Sequence, residues 1–332
     1  MSSSALPSSS SRRSRLIGLA ALVLAGVAWA SLYLVAKPVL REVRPAAFTL
    51  IRYTVAALIY ALLLAPRGAA PWRQLRRHGG RLALLGALGY GWFGLLMLAG
   101  LALSNAAHGA TIVATMPIST QLLRWALDGQ RPGRIGILSS LLALVGVAVV
   151  AGLLGHASEL RPAMLLGDLL TLVGSLGWVL YTRGAARLAE LDPLAYSGLT
   201  AIALWPLLAL GVLAAAALGW TELPSATQLR EQWQGLLYVG IVPSVIAVLS
   251  YMQGVRRLGA VTGTAFLNLI PVSALALGAA FGQQPTAAEL LGCAIVVGAL
   301  LMHSLLPQRA AARQARQAHR PATPRTPSAC LR

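Results

Sequence analysis

Residues 82–127 read LALLGALGYGWFGLLMLAGLALSNAAHGATIVATMPISTQLLRWAL. Two apolar blocks, 82–103 and 106–127, stand here with only Ser104-Asn105 between them. Each matches the ~20 residues that carry an α-helix across a bilayer. Two such helices with almost no connection must turn back on one another, so the stretch predicts a tight helical hairpin within a membrane.

Eight further blocks flank this pair: 16–36, 46–65, 135–154, 164–182, 194–219, 235–253, 260–281 and 287–306. Ten spans agree with a composition that is 57% hydrophobic and 11% charged, where a soluble domain carries about 25% charged residues. The first block, led by Arg12, Arg13 and Arg15 and reaching Ala28-Trp29-Ala30, also fits a signal peptide. Its continuation through Ala36 gives full spanning length and argues for a retained helix.

Part of this pattern recurs farther on. A shift of 154 aligns Gly86, Gly100, Ala106, Gly109, Pro117 and Ser119 with Gly240, Gly254, Ala260, Gly263, Pro271 and Ser273. A shift of 148 aligns Pro45-Ala46-Ala47-Phe48-Thr49 with Pro193-Leu194-Ala195-Tyr196-Ser197, and nearby Trp29 and Tyr33 fall beside Trp178 and Tyr181. Gly129-Gln130-Arg131-Pro132 matches Gly282-Gln283-Gln284-Pro285. One unit of five spans is therefore present twice. Five is odd, so the second copy enters the membrane from the opposite side, which is the architecture of secondary transporters with a solute site between the halves.

The formal charge of +18 follows the same layout. With the N-terminus inside, 21 of the 27 Lys and Arg fall in inner segments and five in outer ones, and Arg52 lies within span 2. The positive-inside rule then puts both termini in the cytoplasm. No basic helix interleaved with aromatics occurs, so nucleic acid is set aside as a partner. One Lys against 26 Arg is the usage of a GC-rich genome and points to a bacterial inner membrane.

Few residues at depth carry chemistry. Arg52 lies about 9 Å below the outer end of its span at ~1.5 Å per residue, where a lipid-facing cation is costly. With Lys37, Arg41 and Arg44 it breaks the positive-inside trend. This cluster fits a carboxylate-bearing solute, and interfacial snorkelling or a bond to helix-end carbonyls is the structural alternative. Asp168 and Glu289 are the acids inside spans, both in first turns, and His108 is the candidate for a coupling proton. Pro117 and Pro271 occupy matching places and would free the carbonyls of Val113 and Leu267 for solute or for a gating bend. Trp29, Trp178, Tyr181, Tyr251 and Asn268 are polar or aromatic at membrane depth, as are Tyr90, Trp92 and Thr115. Several of these must line a cavity. Neither a metal site nor a bound cofactor is expected, since Cys293 and Cys330 stand apart and no His-Glu-x-x-His helix occurs. Ala195-Tyr196-Ser197-Gly198 falls short of a serine elbow because it lacks the first glycine.

Trp29 with Lys37, the run from Pro45 to Arg52-Tyr53, the stretch from Ala102 to Pro117 and the Gly-Gln-x-Pro turns together resemble the drug/metabolite transporter superfamily, specifically its EamA-like permeases. The resemblance covers nearly everything between the tails. It implies a central cavity lined by spans 1, 3, 4, 6, 8 and 9, with Trp29, Trp92, Thr115, Trp178, Tyr251 and Asn268 on its helices, and export of amino acids or other small metabolites. The family turn often reads Gly-Glu, whereas Gln130 and Gln283 stand here in both copies. A carboxylate role in ion coupling would be lost with them.

The expectation is thus an all-α integral membrane protein with ten transmembrane helices as two inverted five-helix repeats. Residues 1–15 and 307–332 form disordered cytoplasmic tails, and the repeats are 16–154 and 155–306. Its function is secondary transport by alternating access, with a small-molecule substrate and the lipid bilayer as partners and a homodimer as a candidate assembly. A nucleotide-sugar-type exchanger, which should present several midplane cations, and a membrane enzyme or scaffold are the alternatives.

Overall fold

The structure, a computed structural model, describes residues 9–104, 109, 112–150, 162–282 and 284–318, and every regular element among these is helical. α1 (Ser9–Glu42), α2 (Pro45–Leu64), α3 (Ala70–Gly86) and α4 (Phe93–Leu103) come first, the last two joined by a π-helical turn, Ala87–Trp92. α5 (Met116–Asp128) and α6 (Arg134–Val150) follow. The second half runs α7 (Pro162–Arg187), α8 (Pro193–Ala217), α9 (Ala226–Ile241) and α10 (Ala247–Leu258), with a second π turn, Val242–Ile246, between the last two. α11 (Ala260–Phe266), α12 (Leu269–Ala280) and α13 (Ala287–Ala318) complete it.

Local chemistry sets the ends. Proline, whose missing N–H costs nothing at a first helical position, opens α2, α7 and α8. Asp192 caps α8 by accepting from the N–H groups of Leu194 (2.9 Å) and Ala195 (3.2 Å). Ser225 and Gln228 form a capping box at α9. Gly129, at φ +67°, ends α5 in the left-handed conformation that only glycine adopts freely.

Among the described residues seven helical stretches are long and apolar enough to cross a membrane: Arg12–Glu42, Pro45–Arg67, Ala70–Met97, Pro162–Arg187, Pro193–Ala217, Ala226–Leu258 and Ala260–Ala280. Arg134–Val150 and Ala287–His303 are shorter apolar helices. Leu62, Leu210 and Phe281 are among many large apolar side chains exposed on the outside of the bundle. So much apolar surface is a face for lipid, and the chain is a multi-pass membrane protein.

Several helices run past their expected bounds. The 66–81 loop is largely α3, which continues through Arg73, Arg76, Arg77 and Arg81 into the apolar block. Apolar length marks only the buried part of a helix, whereas backbone hydrogen bonds continue into water. For the same reason α1 starts at Ser9 and α13 reaches Ala318, within the two segments expected to be disordered. Ala, Arg and Gln, which fill 310–318, are strong helix formers. The span expected over 106–127 is described from 112 on, apart from Gly109.

The helices cross in a reciprocal pattern. α4 lies on α7 and α10 on α1, while α3 packs on α8 and α9 on α2. α1 meets α12 and α7 meets α5, and the pairs α2–α8 and α6–α13 complete the set. Exchanging the two halves leaves this pattern unchanged. Both π turns share it, because 242–246 is 88–92 displaced by 154. Glycines set the closest approaches: a Cβ on Gly100 would lie 2.5 Å from the Gly167 carbonyl oxygen, and one on Gly167 2.7 Å from that of Gly100. Gly146 and Gly292 face each other in the same way where α6 crosses α13.

Candidate functional site

Trp178, buried on α7, is the hub of an aromatic cluster. Its ring centroid lies 5.4 Å from Trp29 on α1, 5.4 Å from Tyr251 on α10 and 5.2 Å from Tyr181 one turn along its own helix. Phe93 (5.7 Å) and Tyr90 (6.4 Å) approach from α4 and the first π turn. Tyr90 also meets Tyr53 of α2 at 5.1 Å, and Tyr181 meets Tyr196 of α8 at 5.0 Å. Elements from both halves thus contribute rings, in tilted or edge-on pairs of the kind quadrupoles favour.

The polar ends of these rings are mostly committed. Trp29 Nε1 donates to the Pro243 carbonyl in the second π turn at 3.0 Å. The Tyr90 and Tyr181 hydroxyls share a 2.5 Å hydrogen bond, and Tyr196 donates to the Tyr181 carbonyl at 2.5 Å. Tyr251 and the Thr182 hydroxyl are 3.3 Å apart. By contrast Trp178 Nε1, Ser197 Oγ and both amide atoms of Asn268 are buried without a hydrogen-bond partner among the described residues. An unmet polar group at depth is costly and calls for an explanation.

Arg52, half-buried on α2, donates from Nε to Ser244 Oγ at 2.5 Å, and its guanidinium lies 5.2 Å from the Tyr53 ring centroid. Ser244 belongs to the second π turn and passes its own proton to the Val239 carbonyl at 2.6 Å. Tyr60 donates to the Ser244 carbonyl at 3.1 Å. The cation is thereby tied to the bundle interior beside the aromatic cluster, and among the described residues no carboxylate reaches it. Of the other cations expected to cluster with it, Arg44 is engaged elsewhere. Arg44 pairs with Glu222 at 3.3 Å on the exposed surface, eight residues or about 12 Å along α2 from Arg52.

Of the sequence-named residues, Trp29, Tyr90, Trp178, Tyr181 and Tyr251 come together, with Arg52 at the margin. Trp92 does not join them: it is exposed, and its Nε1 donates to the Val173 carbonyl at 3.2 Å. Thr115 spends its hydroxyl proton on the Ile112 carbonyl at 2.6 Å. Pro117 and Pro271 open new helices rather than bend continuous ones, sitting in the first turns of α5 and α12 after breaks at Thr115 and at Leu267-Asn268. The Leu267 carbonyl is not free for solute, because it accepts from Ile270 N–H at 3.0 Å. Gln130 Oε1 accepts from Arg124, a neutral stand-in for an ion pair. His108 and Gln283 lie outside the described residues, as does the side chain of Lys37. Tyr53, Phe93, Tyr196 and Ser244 were not singled out as site residues from sequence; the neighbour Arg52 was the one signal for Tyr53.

The cation-rich end of the bundle is held across the halves by ion pairs. Asp128 at the end of α5 takes Arg183 through two bonds, 2.6 and 3.0 Å, and Arg187 at 3.2 Å. Arg67 meets Asp192, and His78 lies 3.5 Å from Glu190. The Arg183 hydrogen bonds hold the Asp128 carboxyl down at about 2. This contact is therefore present above the ordinary carboxylate range and is lost only as pH falls through about 2. Next to it a cavity of about 320 Å³ opens among Ala189, Leu191, Met252, Val255 and Arg256, with Tyr196 as its inner wall.

Known proteins are similar to this chain over most of its length. The model of the EamA-like transporter family matches residues 16–152 and again 165–305. The chain is 29% identical over 292 residues to a probable terminal-alkyne amino-acid exporter of Streptantibioticus cattleyicolor, covering 85% of this chain and 91% of that one. It is 25% identical over 297 residues to the uncharacterized transporter YrdR of Bacillus subtilis, covering 87% and 91%. A crystal structure of a protein 23% identical superposes with a TM-score of 0.70 over 90% of this chain and 99% of the other, a likeness of fold.

Proposed function

From the premise that the chain belongs to the EamA-like transporter family, we propose that this membrane transporter is a secondary exporter of small metabolites of the amino-acid class. The observation that carries the reading is the aromatic cluster around Trp178, built by both halves, holding an unmet indole N–H and carrying the half-buried cation Arg52 at its margin over Tyr53. An amino acid offers the matching groups: a carboxylate for the guanidinium, a second acceptor for the indole, and an apolar side chain for the rings. The exporter of Streptantibioticus cattleyicolor, named for an amino-acid cargo, supports the class.

Residues 16–154 and 155–306 act as two five-helix repeats of opposite orientation, rocking about this cluster in alternating access. The exchange-invariant helix contacts and the π turns 154 residues apart support the two-copy reading. Both termini lie in the cytoplasm and the host membrane is a bacterial inner membrane, which the charge distribution supports. An impermeant thiol reagent should then reach Cys330 only from the cytoplasmic face.

Purified protein in vesicles should move at least one member of a labelled amino-acid panel faster than empty vesicles do. Arg52→Ala should slow it about tenfold, the worth of a charge-assisted hydrogen bond. Failure of the whole panel sinks the proposal. Normal transport of carboxylate solutes by Arg52→Ala removes Arg52 from the site and leaves the carrier standing.

A further inference from the structure

The cation-rich end of α3 carries a one-sided stripe of arginines. At 3.6 residues per turn, Arg73, Arg76, Arg77 and Arg81 fall within about 140° of the helix circumference, with Leu84 near the middle of that arc. All five are exposed, Leu84 at 59%. The opposite side of the same helix is spent on the bundle: Pro71, Leu82, Leu85 and Gly86 are buried, Leu75 packs on the core, and His78 lies 3.5 Å from Glu190.

Leu84 belongs to the apolar block of this span, so its exposed face is a face for lipid. The arginines prolong that face into the layer where headgroups stand. At ~1.5 Å per residue, Arg81 and Arg77 lie about 2 and 8 Å along the helix from Leu82, where the apolar block begins. The headgroup layer is about 5–8 Å deep on each side of the hydrocarbon. Arg76 and Arg73, about 9 and 14 Å out, stand within roughly one Debye length of its far edge.

Other cations at this end have partners inside the protein. Arg67 meets Asp192, Arg183 and Arg187 meet Asp128, and Arg124 meets Gln130. Among the described residues no carboxylate pairs with Arg73, Arg76, Arg77 or Arg81. The positive-inside rule accounts for arginine on this side of the membrane, but not for its confinement to the face of Leu84.

We propose that this stripe docks anionic phospholipid, the headgroup phosphates lying against the guanidinium groups while the acyl chains cover Leu84. A guanidinium fork matches phosphate oxygens and keeps its charge at every working pH. Each cation close to a membrane surface adds to the attraction, and four on one face act on the same few headgroups. The inference stands on α3 alone, so it survives or fails independently of the transport reading.

The melting temperature of the full chain in detergent, followed as phosphatidylglycerol or phosphatidylcholine is titrated in, gives an apparent dissociation constant for each lipid. Wild type should bind the anionic lipid about tenfold more tightly, and added salt should shrink that ratio. Arg73→Gln, Arg76→Gln, Arg77→Gln and Arg81→Gln together should bring the two lipids within about twofold of each other. Lysine at the same four positions should keep most of the preference, because the charge stays on the face. Arg309→Gln, Arg313→Gln, Arg316→Gln and Arg320→Gln remove equal charge from the C-terminal segment and should leave the ratio nearly unchanged. A wild type with no preference overturns the proposal. So does an equal loss in the C-terminal variant, which would make net charge the cause, or release of the lipid by excess soluble glycerol phosphate, which would make the stripe a site for free phosphate. Should the four-glutamine protein not fold, Arg77→Gln with Arg81→Gln removes the pair in the headgroup layer and should still lower the ratio about threefold. An unchanged ratio in that folded double variant sinks the idea.

Discussion

Gly100→Leu and Gly167→Leu should each leave almost no folded protein in detergent, while Gly211→Leu should behave as wild type or slightly better. At the crossing of α4 and α7 a new Cβ on Gly100 meets the Thr171 hydroxyl and, behind it, the Gly167 carbonyl oxygen at 2.5 Å, and one on Gly167 meets the Gly100 carbonyl oxygen at 2.7 Å. Carbonyl oxygens cannot swing aside as a flexible side chain would, so the two helices must part. Between membrane helices no water is released by contact, and close packing is itself the main attraction. Separation therefore removes what holds α4 to α7 and exceeds the ~1–3 kcal/mol of ordinary overpacking. Against a total stability of about 5–15 kcal/mol this is a large share. Gly211, on the exposed face of α8, has nothing within 4 Å, and losing a helical glycine there is worth up to about 1 kcal/mol. Thermal unfolding of each variant in the same detergent decides the matter. A Gly100→Leu protein that melts with wild type would mean that α4 and α7 do not cross here.

The same two glycines mark what a sequence can disclose. Gly100 is visible as one of the residues recurring at a shift of 154, and the apolar blocks mark the buried part of each helix. Its partner Gly167 is not visible, because a crossing is a property of two helices and neither alone encodes it. The π turns explain a second gap. Each inserts a residue into the helical count, so every face beyond it is rotated relative to the face before. Tyr90 and Trp92, two residues apart in and at the end of the first π turn, end respectively at the centre of the cluster and on the outer surface. Regular periodicity cannot place Trp92 correctly. Trp29, Trp178, Tyr181 and Tyr251 were legible because aromatic residues with polar atoms are poorly suited to a wholly lipid-facing helix.

The pair Trp29 and Trp178 offers the sharpest test of the site itself. The repeat sets them in corresponding places, and their rings touch at 5.4 Å, yet their indole nitrogens differ. Trp29 gives its proton to the Pro243 carbonyl, whereas Trp178 has no partner among the described residues. If the donor of Trp178 serves the solute, Trp178→Phe should preserve most of the ring packing and the melting temperature while flux per folded molecule falls about tenfold, one lost hydrogen bond at the upper end of the usual range. Trp29→Phe should do the reverse, costing about 1 kcal/mol of stability by stranding a buried carbonyl and leaving flux far less affected. Trp178→Ala should lose both, since removing a buried indole costs roughly 3–5 kcal/mol. Flux and unfolding measured on the same three preparations separate packing from binding. Equal flux for Trp178→Phe and wild type would show that the unmet N–H is idle, and the solute site would then have to lie elsewhere in the bundle.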